Sequence, residues 1–195
     1  MSIEDIYMHY DIVGLQDTDT NKADIMKIFT KEAAARMQKQ KKDTKLKLRS
    51  LIESMTDARE DIVKKVFGYR NENVIRLPVN FTHLIKSVAG QLEIDDTFAV
   101  NITPLEALNM IEANYKRMMN YNQYAPENSL FKIMYDFHLS PRTLLVKHRF
   151  HKNAMQLLMD TLFLKYKQAL VHPGEMVGVI AAQSVGEPTT QLTLN

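Results

Sequence analysis

Three side chains near the end of the sequence have types and spacing suited to holding a sugar and a flat ring together. Gln191, Leu194 and Asn195 fall at i, i+3 and i+4, so a helix would carry them on one face. The two amides can donate to and accept from hydroxyls, and the leucine between them can pack on a planar base. Three residues make a short motif, however, and spacing alone favours the plainer reading of Gln191 and Asn195 as ordinary surface amides.

The residues that must position this trio have an unusual pattern of their own. Gly174, Gly178, Ala182 and Gly186 recur every fourth position, which on a helix gives one smooth stripe that another backbone can approach closely. Met176, Val177, Val179, Ile180 and Val185 supply apolar bulk on the other sides, so the spacing predicts a helix buried nearly all round. Gln183 and Ser184 interrupt the apolar run, which falls short of the roughly 20 residues needed to cross a bilayer. Gly186-Glu187-Pro188 reads as a hinge, because glycine admits a left-handed exit and proline favours the first position of a new helix. A second helix is therefore expected from Pro188 onward.

Other candidate sites are weaker. His148 and His151 lie three apart between Lys147 and Lys152, but two histidines without a third ligand do not make a metal site, and no metal is expected. The patch reads instead as an exposed helix end or a protein or phosphate contact. Lys39 to Arg49 is the one concentrated basic run. It reads first as a solvated helix face, since phosphate binding needs the charges gathered on one surface and no aromatic residues are interleaved for base stacking. Asp95-Asp96 and the carboxylates from Asp57 to Asp61 lack a visible pocket for acid–base work, and a hydrolase reading lacks a nucleophile.

Composition sets limits on what the chain can be. At 195 residues and 45% hydrophobic content the chain can bury a core and hold one domain or two small ones. The absence of cysteine excludes a disulfide scaffold and fits a reducing compartment. Met1-Ser2-Ile3-Glu4-Asp5-Ile6 is no charged-then-apolar leader, so secretion is not expected. A net charge of +2 is too small for the whole chain to bind nucleic acid, and any such contact must be local.

The pattern along the chain is helical almost throughout. Ile25, Ile28, Phe29, Ala33 and Met37 form one stripe, and Leu48, Leu51, Ile52, Met55, Ile62, Val63 and Val66 a second, closed at Phe67-Gly68-Tyr69. Val74 to Val79 reads as an extended linker. Phe81, Leu84, Ile85 and Val88 begin another helix, and Thr103-Pro104-Leu105-Glu106 is a capping box that opens a helix to Met119. Ser140-Pro141 repeats the cap-then-proline device before Leu144 and Leu145. A long helix from Asn153 to Val171 carries Met155, Leu158, Met159, Leu162, Phe163, Tyr166 and Leu170. The expected class is mainly α.

The unbroken string from Pro173 to Asn195 closely resembles the segment leading into the trigger loop of the largest subunit of multisubunit DNA-directed RNA polymerases, of the RNA polymerase II type. Leu77-Pro78-Val79-Asn80, Ile94-Asp95 and the run from Leu130 to Val171 resemble the foot region of the same subunit, while the likeness is diffuse before Val74. The lysine, asparagine and methionine content of the foot looks closer to polymerases of large DNA viruses. The resemblance implies an irregular multi-helix foot-like module, with residues 1–74 its N-terminal part and 75–171 its remainder, followed by a cleft helix and the first half of a trigger loop over 172–195.

What the resemblance implies functionally is specific. Gln191 and Asn195 would contact the ribose hydroxyls of an incoming nucleoside triphosphate, Leu194 would pack on its base, and Gly186, Glu187 and Pro188 would form the hinge. Gly174, Gly178 and Ala182 would pack against the rest of the cleft. Partners would be the remainder of the subunit, the other polymerase subunits, template DNA, RNA and the NTP, with no membrane. The expected location is the nucleus for a cellular polymerase, or host cytoplasm or virion for a viral one. The family's trigger-loop histidine would follow one turn beyond Asn195, and its Mg2+-holding acidic loop has no counterpart here. The chain is therefore expected to be a fragment that contributes to transcription without polymerising nucleotides alone. The rival reading is a free-standing helical interaction protein without catalysis. The whole reading hangs on burial of the glycine-lined helix: found on the outside, wetted and packed against nothing, it would overturn the proposal.

Overall fold

In the computed structural model, residues 2–10, 27–70, 76–95, 97–122 and 128–193 are described, with backbone alone from 187 to 193. Eight α-helices and one π-helical turn are found among them: α1 (Ile3–Tyr10), α2 (Lys31–Lys39), α3 (Lys41–Lys65), α4 (Phe81–Gln91), α5 (Pro104–Tyr121), α6 (Ser129–His138), the π turn (Arg142–Lys147), α7 (Lys152–Ala169) and α8 (Val177–Thr193). The mainly α class read from the sequence is what the chain adopts.

Helix starts are set by side chains that accept the first unpaired N–H groups. Thr103 Oγ1 accepts from Glu106 N at 3.3 Å and Glu106 Oε2 accepts from Thr103 N at 3.1 Å, the reciprocal pair predicted for the head of α5. Asn80 caps α4 through His83 N, and Asn128 caps α6 through Leu130 N and Phe131 N. At the other end of α3, Phe67 N and Val66 N both donate to the Ile62 carbonyl, and Gly68 takes φ 53° to turn the chain away.

Two expected helices came out differently. The stripe from Ile25 to Met37 is not one helix: helical backbone at Lys27 and Ile28 ends before Phe29, which forms a lone parallel bridge with Val100. Thr30 N donates to the Val100 carbonyl (3.0 Å) and Val100 N to that of Ile28 (2.7 Å), so these groups find partners across the chain, and Thr30 then caps α2. Ile25 lies outside the described residues. After Ser140-Pro141 the backbone widens into a π turn, with His148 N donating to the Thr143 carbonyl at 3.1 Å. The widened turn, and Arg149 at φ 54°, place Leu144, Leu145 and Phe150 together in the interior, all fully buried.

The main core is built on α7, which packs against α5 and α4. Met155, Leu158 and Leu162 of α7 meet Ile111, Tyr115 and Met118 of α5 and Phe81, Leu84 and Ile85 of α4. Each such side chain removed from water contributes about 1.5–3 kcal/mol. Ala33 and Met37 of α2 enter the same core, so segments before and after residue 74 share it. A smaller cluster of Ile6, Tyr10, Leu48, Met55 and Leu108 ties α1 to α3 and α5. There the Tyr10 hydroxyl donates to the Asp136 carbonyl at 2.6 Å. Burial pushes that phenol's pKa well above its ordinary value, so it remains a donor.

Candidate functional site

The segment that the sequence singles out begins where α7 stops. Leu170 turns extended at ψ 134°, and the chain then makes a turn in which Glu175 N donates to the His172 carbonyl at 3.2 Å. Gly174 takes φ +88° in that turn, a conformation other residues adopt only with strain, and this is why glycine stands there. Ile180 N then donates to the Met176 carbonyl at 3.3 Å and α8 is under way.

Three expectations about this segment are corrected. Gly174 is not part of the helical stripe, because its left-handed backbone precedes α8; the stripe is Gly178, Ala182 and Gly186. The helix is not buried: every residue from 171 to 186 is exposed, Met176 at 73% and Val185 at 72%. A Cβ built on Gly178 or Gly186 would meet nothing within 4 Å, so among the described residues no backbone uses the close approach that the stripe permits. The physical reason is that α4, α5 and α7 pack their apolar faces on one another, and among the described residues α8 makes no comparable contact with any of them. Third, Gly186-Glu187-Pro188 does not separate two helices, since α8 runs through it to Thr193. Proline offers no N–H to the Ser184 carbonyl and its ring crowds that group, so this turn is held less firmly than its neighbours. Ser184 Oγ donates instead to the Ile180 carbonyl at 2.9 Å, one turn before.

Of the proposed nucleotide-contacting residues, Gln191 lies on the backbone of α8, while Leu194 and Asn195 lie outside the described residues. The side chain of Gln191, like those of Glu187 and Pro188, is likewise outside what is described.

Several other polar groups serve the module's own architecture. Lys47, from the basic run, donates to Glu112 Oε2 at 2.7 Å and to Asn109 Oδ1 at 2.7 Å, and Lys116 reaches Glu112 Oε1 at 2.9 Å. Hydrogen bonds from Lys47 and then Lys116 hold the Glu112 carboxyl at about 2, well below the usual carboxylate range. Part of the basic run is thus an inter-helix clamp and not a phosphate surface. His151 precedes α7 and stacks on Phe98 with centroids 5.7 Å apart, while His148 meets Phe150 edge-on at 6.2 Å. Burial lowers the pKa of His148, aided by Lys147 and Lys86. Among the described residues no three His, Asp or Glu side chains converge, so they do not fit a magnesium ion. No described helix is long and apolar enough to cross a membrane.

The described residues thus form a helical module from which one exposed helix of apolar and small residues extends. The family model for RNA polymerase Rpb1, domain 5, matches residues 3–195, and the chain belongs to that family. It is a portion of the largest subunit of DNA-directed RNA polymerase, and works in transcription within a multisubunit nucleotidyltransferase whose partners are the other subunits, DNA and RNA. The family's enzymes use Mg2+ at their active site.

One surface was missed by sequence reasoning. The helix Ile3–Tyr10 went unread, although Ile6 and Tyr10 at i, i+4 form its buried stripe while Ile3 and Tyr7, also i, i+4, form an exposed one. Two apolar stripes on eight residues were the available signal.

Proposed function

We propose that residues 172–195 form the cleft helix and the opening of the trigger loop, and that the rest of the polymerase encloses α8 during nucleotide addition. In this reading Gln191 and Asn195 read the ribose hydroxyls of the incoming NTP, Leu194 packs on its base, and the turn at Gly186-Glu187-Pro188 is where the segment changes shape as it closes. The remainder of the chain is a foot-like support. The chain contributes positioning and gating and adds no nucleotide alone.

The observation that carries this reading is the family match, which runs over residues 3–195 and so includes this whole segment, while the exposure of α8 in the free chain counts against it. Val177, Val179, Ile180 and Val185 of α8, and Met176 just before it, are each more than half exposed, and in this reading the rest of the polymerase covers them. Burial inside this chain no longer supports the reading. Its support is the family and the unbroken 173–195 string.

The selectivity follows from hydrogen bonding: a site whose amides pair with ribose leaves them unpaired and desolvated when a deoxynucleotide arrives. Asn195→Ser in the complete polymerase should therefore reduce discrimination between ribo- and deoxyribonucleotides by about tenfold or more, the scale of one lost buried hydrogen bond. Template binding should be unchanged. A nucleotide-addition assay with paired NTP and dNTP substrates reads the ratio, and unaltered sugar selectivity would remove Asn195 from the role.

A further inference from the structure

A second surface, remote in sequence from the trigger-loop segment, has the make-up of a docking site. Between α1 and α3 runs an open groove of about 660 Å³ whose floor is the buried pair Tyr10 and Leu48. Its walls carry Tyr7 (54% exposed), Met8 (62%) and Leu46 (68%), large apolar side chains left to water on two neighbouring helices. Its polar residues are Lys45, Arg49, Arg142 and a single acid, Glu53. Arg142 is fixed in place because its guanidinium donates to the Met8 carbonyl near the end of α1. Arg49 reaches Glu53 only at 3.7 Å, with both side chains more than two-thirds exposed, a pairing weak enough to be exchanged. Lys45 has no acidic partner among the described residues.

We propose that this groove binds an acidic amphipathic helix from a separate protein, whose apolar side chains cover Tyr7, Met8 and Leu46 while its carboxylates meet Lys45, Arg49 and Arg142. The charge selects the partner's sign: three cations against one carboxylate favour an anionic segment and raise its rate of encounter. The apolar walls select its class. A surface made for nucleic-acid phosphates gains nothing from an exposed leucine and methionine, and Glu53, which also lines the neighbouring acidic cleft with Asp57, Glu60 and Asp61, would repel a phosphate chain. Methionine and tyrosine beside arginine are instead the residues enriched where proteins meet. Exposed apolar side chains beside one another on two helices offer a groove into which positions i, i+3 and i+4 of a third helix can seat.

The test uses the full 195-residue chain and three fluorescent probes: a designed helix of about 18 residues with leucine and phenylalanine on one face and glutamate on the other, long enough to be stable, the same helix with lysine for glutamate, and a single-stranded RNA of matching charge. Binding of the acidic helix alone is expected, weakened about tenfold by Leu46→Ala and about tenfold by Lys45→Glu, the effect of removing one well-placed contact, and weakened further by added salt. Both residues are exposed, so thermal melts should match the parent. Tyr7→Ala, also exposed, is the second apolar variant and should act like Leu46→Ala. Equal binding of the lysine helix would overturn the proposal, as would RNA binding untouched by Leu46→Ala. A chain that self-associates through this face, seen as a dimer abolished by Leu46→Ala, assigns the groove to a second copy and overturns it too. Failure of all three probes to bind does the same.

Discussion

The module from α2 to α7 and the single helix α8 follow the same local rules and end in opposite situations. In the module, Phe81 is 2% exposed and touches the rings of Phe131, Tyr135 and His138, with centroids 5.4 to 6.1 Å apart. In α8, Val179 and Ile180 lie about half exposed. Hydrophobic patterning therefore reports that a face is meant to be covered and leaves open what covers it. The α7 stripe is covered by its own chain, whereas the apolar residues of α8 stay exposed.

The sharpest way to break that contrast is to cut into both regions. Phe81→Ala removes a ring from a closed aromatic cluster and should cost about 3–5 kcal/mol of unfolding free energy. Val179→Ala should change it by no more than about 0.5 kcal/mol, as expected for a surface site. Urea titrations of the free chain measure both. A cost above about 1.5 kcal/mol for Val179→Ala would show that α8 is packed in solution and that the two regions are one.

Most of the module was legible because its signals are local. The Thr103 to Glu106 capping box, the Phe81-Leu84-Ile85-Val88 stripe and the α7 stripe depend on residues three or four apart, and each took the expected place. The failures were long-range. Nothing within residues 25 to 37 says that Phe29 will bridge to Val100, some seventy residues on, and so split a helix. Nothing at Leu144 announces that a π turn will be tolerated so that Phe150 can also reach the interior. In the candidate site, the hinge at Gly186-Glu187-Pro188 followed from intrinsic preferences of glycine and proline, and in the free chain helical continuity overrides them. The identity of the nucleotide-reading trio came from likeness to a family, since three positions on one face carry too little information to name a ligand.

A next step down in size is the cap. Thr103→Ala leaves the Glu106 N–H without its acceptor and the Gln40 Oε1 without the Thr103 hydroxyl, while the backbone N–H of residue 103 keeps its bond to Glu106, and should cost about 1 kcal/mol. Because α5 packs on α7, the loss should appear as a lower midpoint for the whole module, read by circular dichroism during a thermal scan. An unchanged midpoint would mean that tertiary packing alone positions α5, and would weaken the view that local signals set the module.

The Lys47–Glu112–Lys116 clamp gives a smaller effect with a defined pH signature. The Glu112 carboxyl is held at about 2 against an unfolded value of 4.5, so its contribution is fully present above about pH 4.5 and is lost as pH falls toward 2. Glu112 is 44% exposed at its side chain, and solvent screening keeps the stabilisation to about 1 kcal/mol or less. Lys47→Ala should flatten the stability profile across that window by removing the first of the two donors. A slope identical to the parent's would place the acid sensitivity elsewhere.

The smallest effect on the free chain should come from Gly178→Ala, and it separates the two regions most cleanly. A methyl group at Gly178 meets nothing within 4 Å, and alanine loses less backbone freedom than glycine in a helix interior, so α8 should gain about 0.5–1 kcal/mol of local helix stability. Since α8 is not packed on the core, that gain should show as added helical signal in circular dichroism without moving the unfolding midpoint. In the complete polymerase the same methyl falls on the small-residue stripe with Ala182 and Gly186, where the proposed neighbour approaches closely, and nucleotide addition should fall. A variant that is silent in the polymerase as well as in the free chain would mean that the stripe faces no neighbour, and the reading of α8 as an enclosed cleft helix would have to be given up.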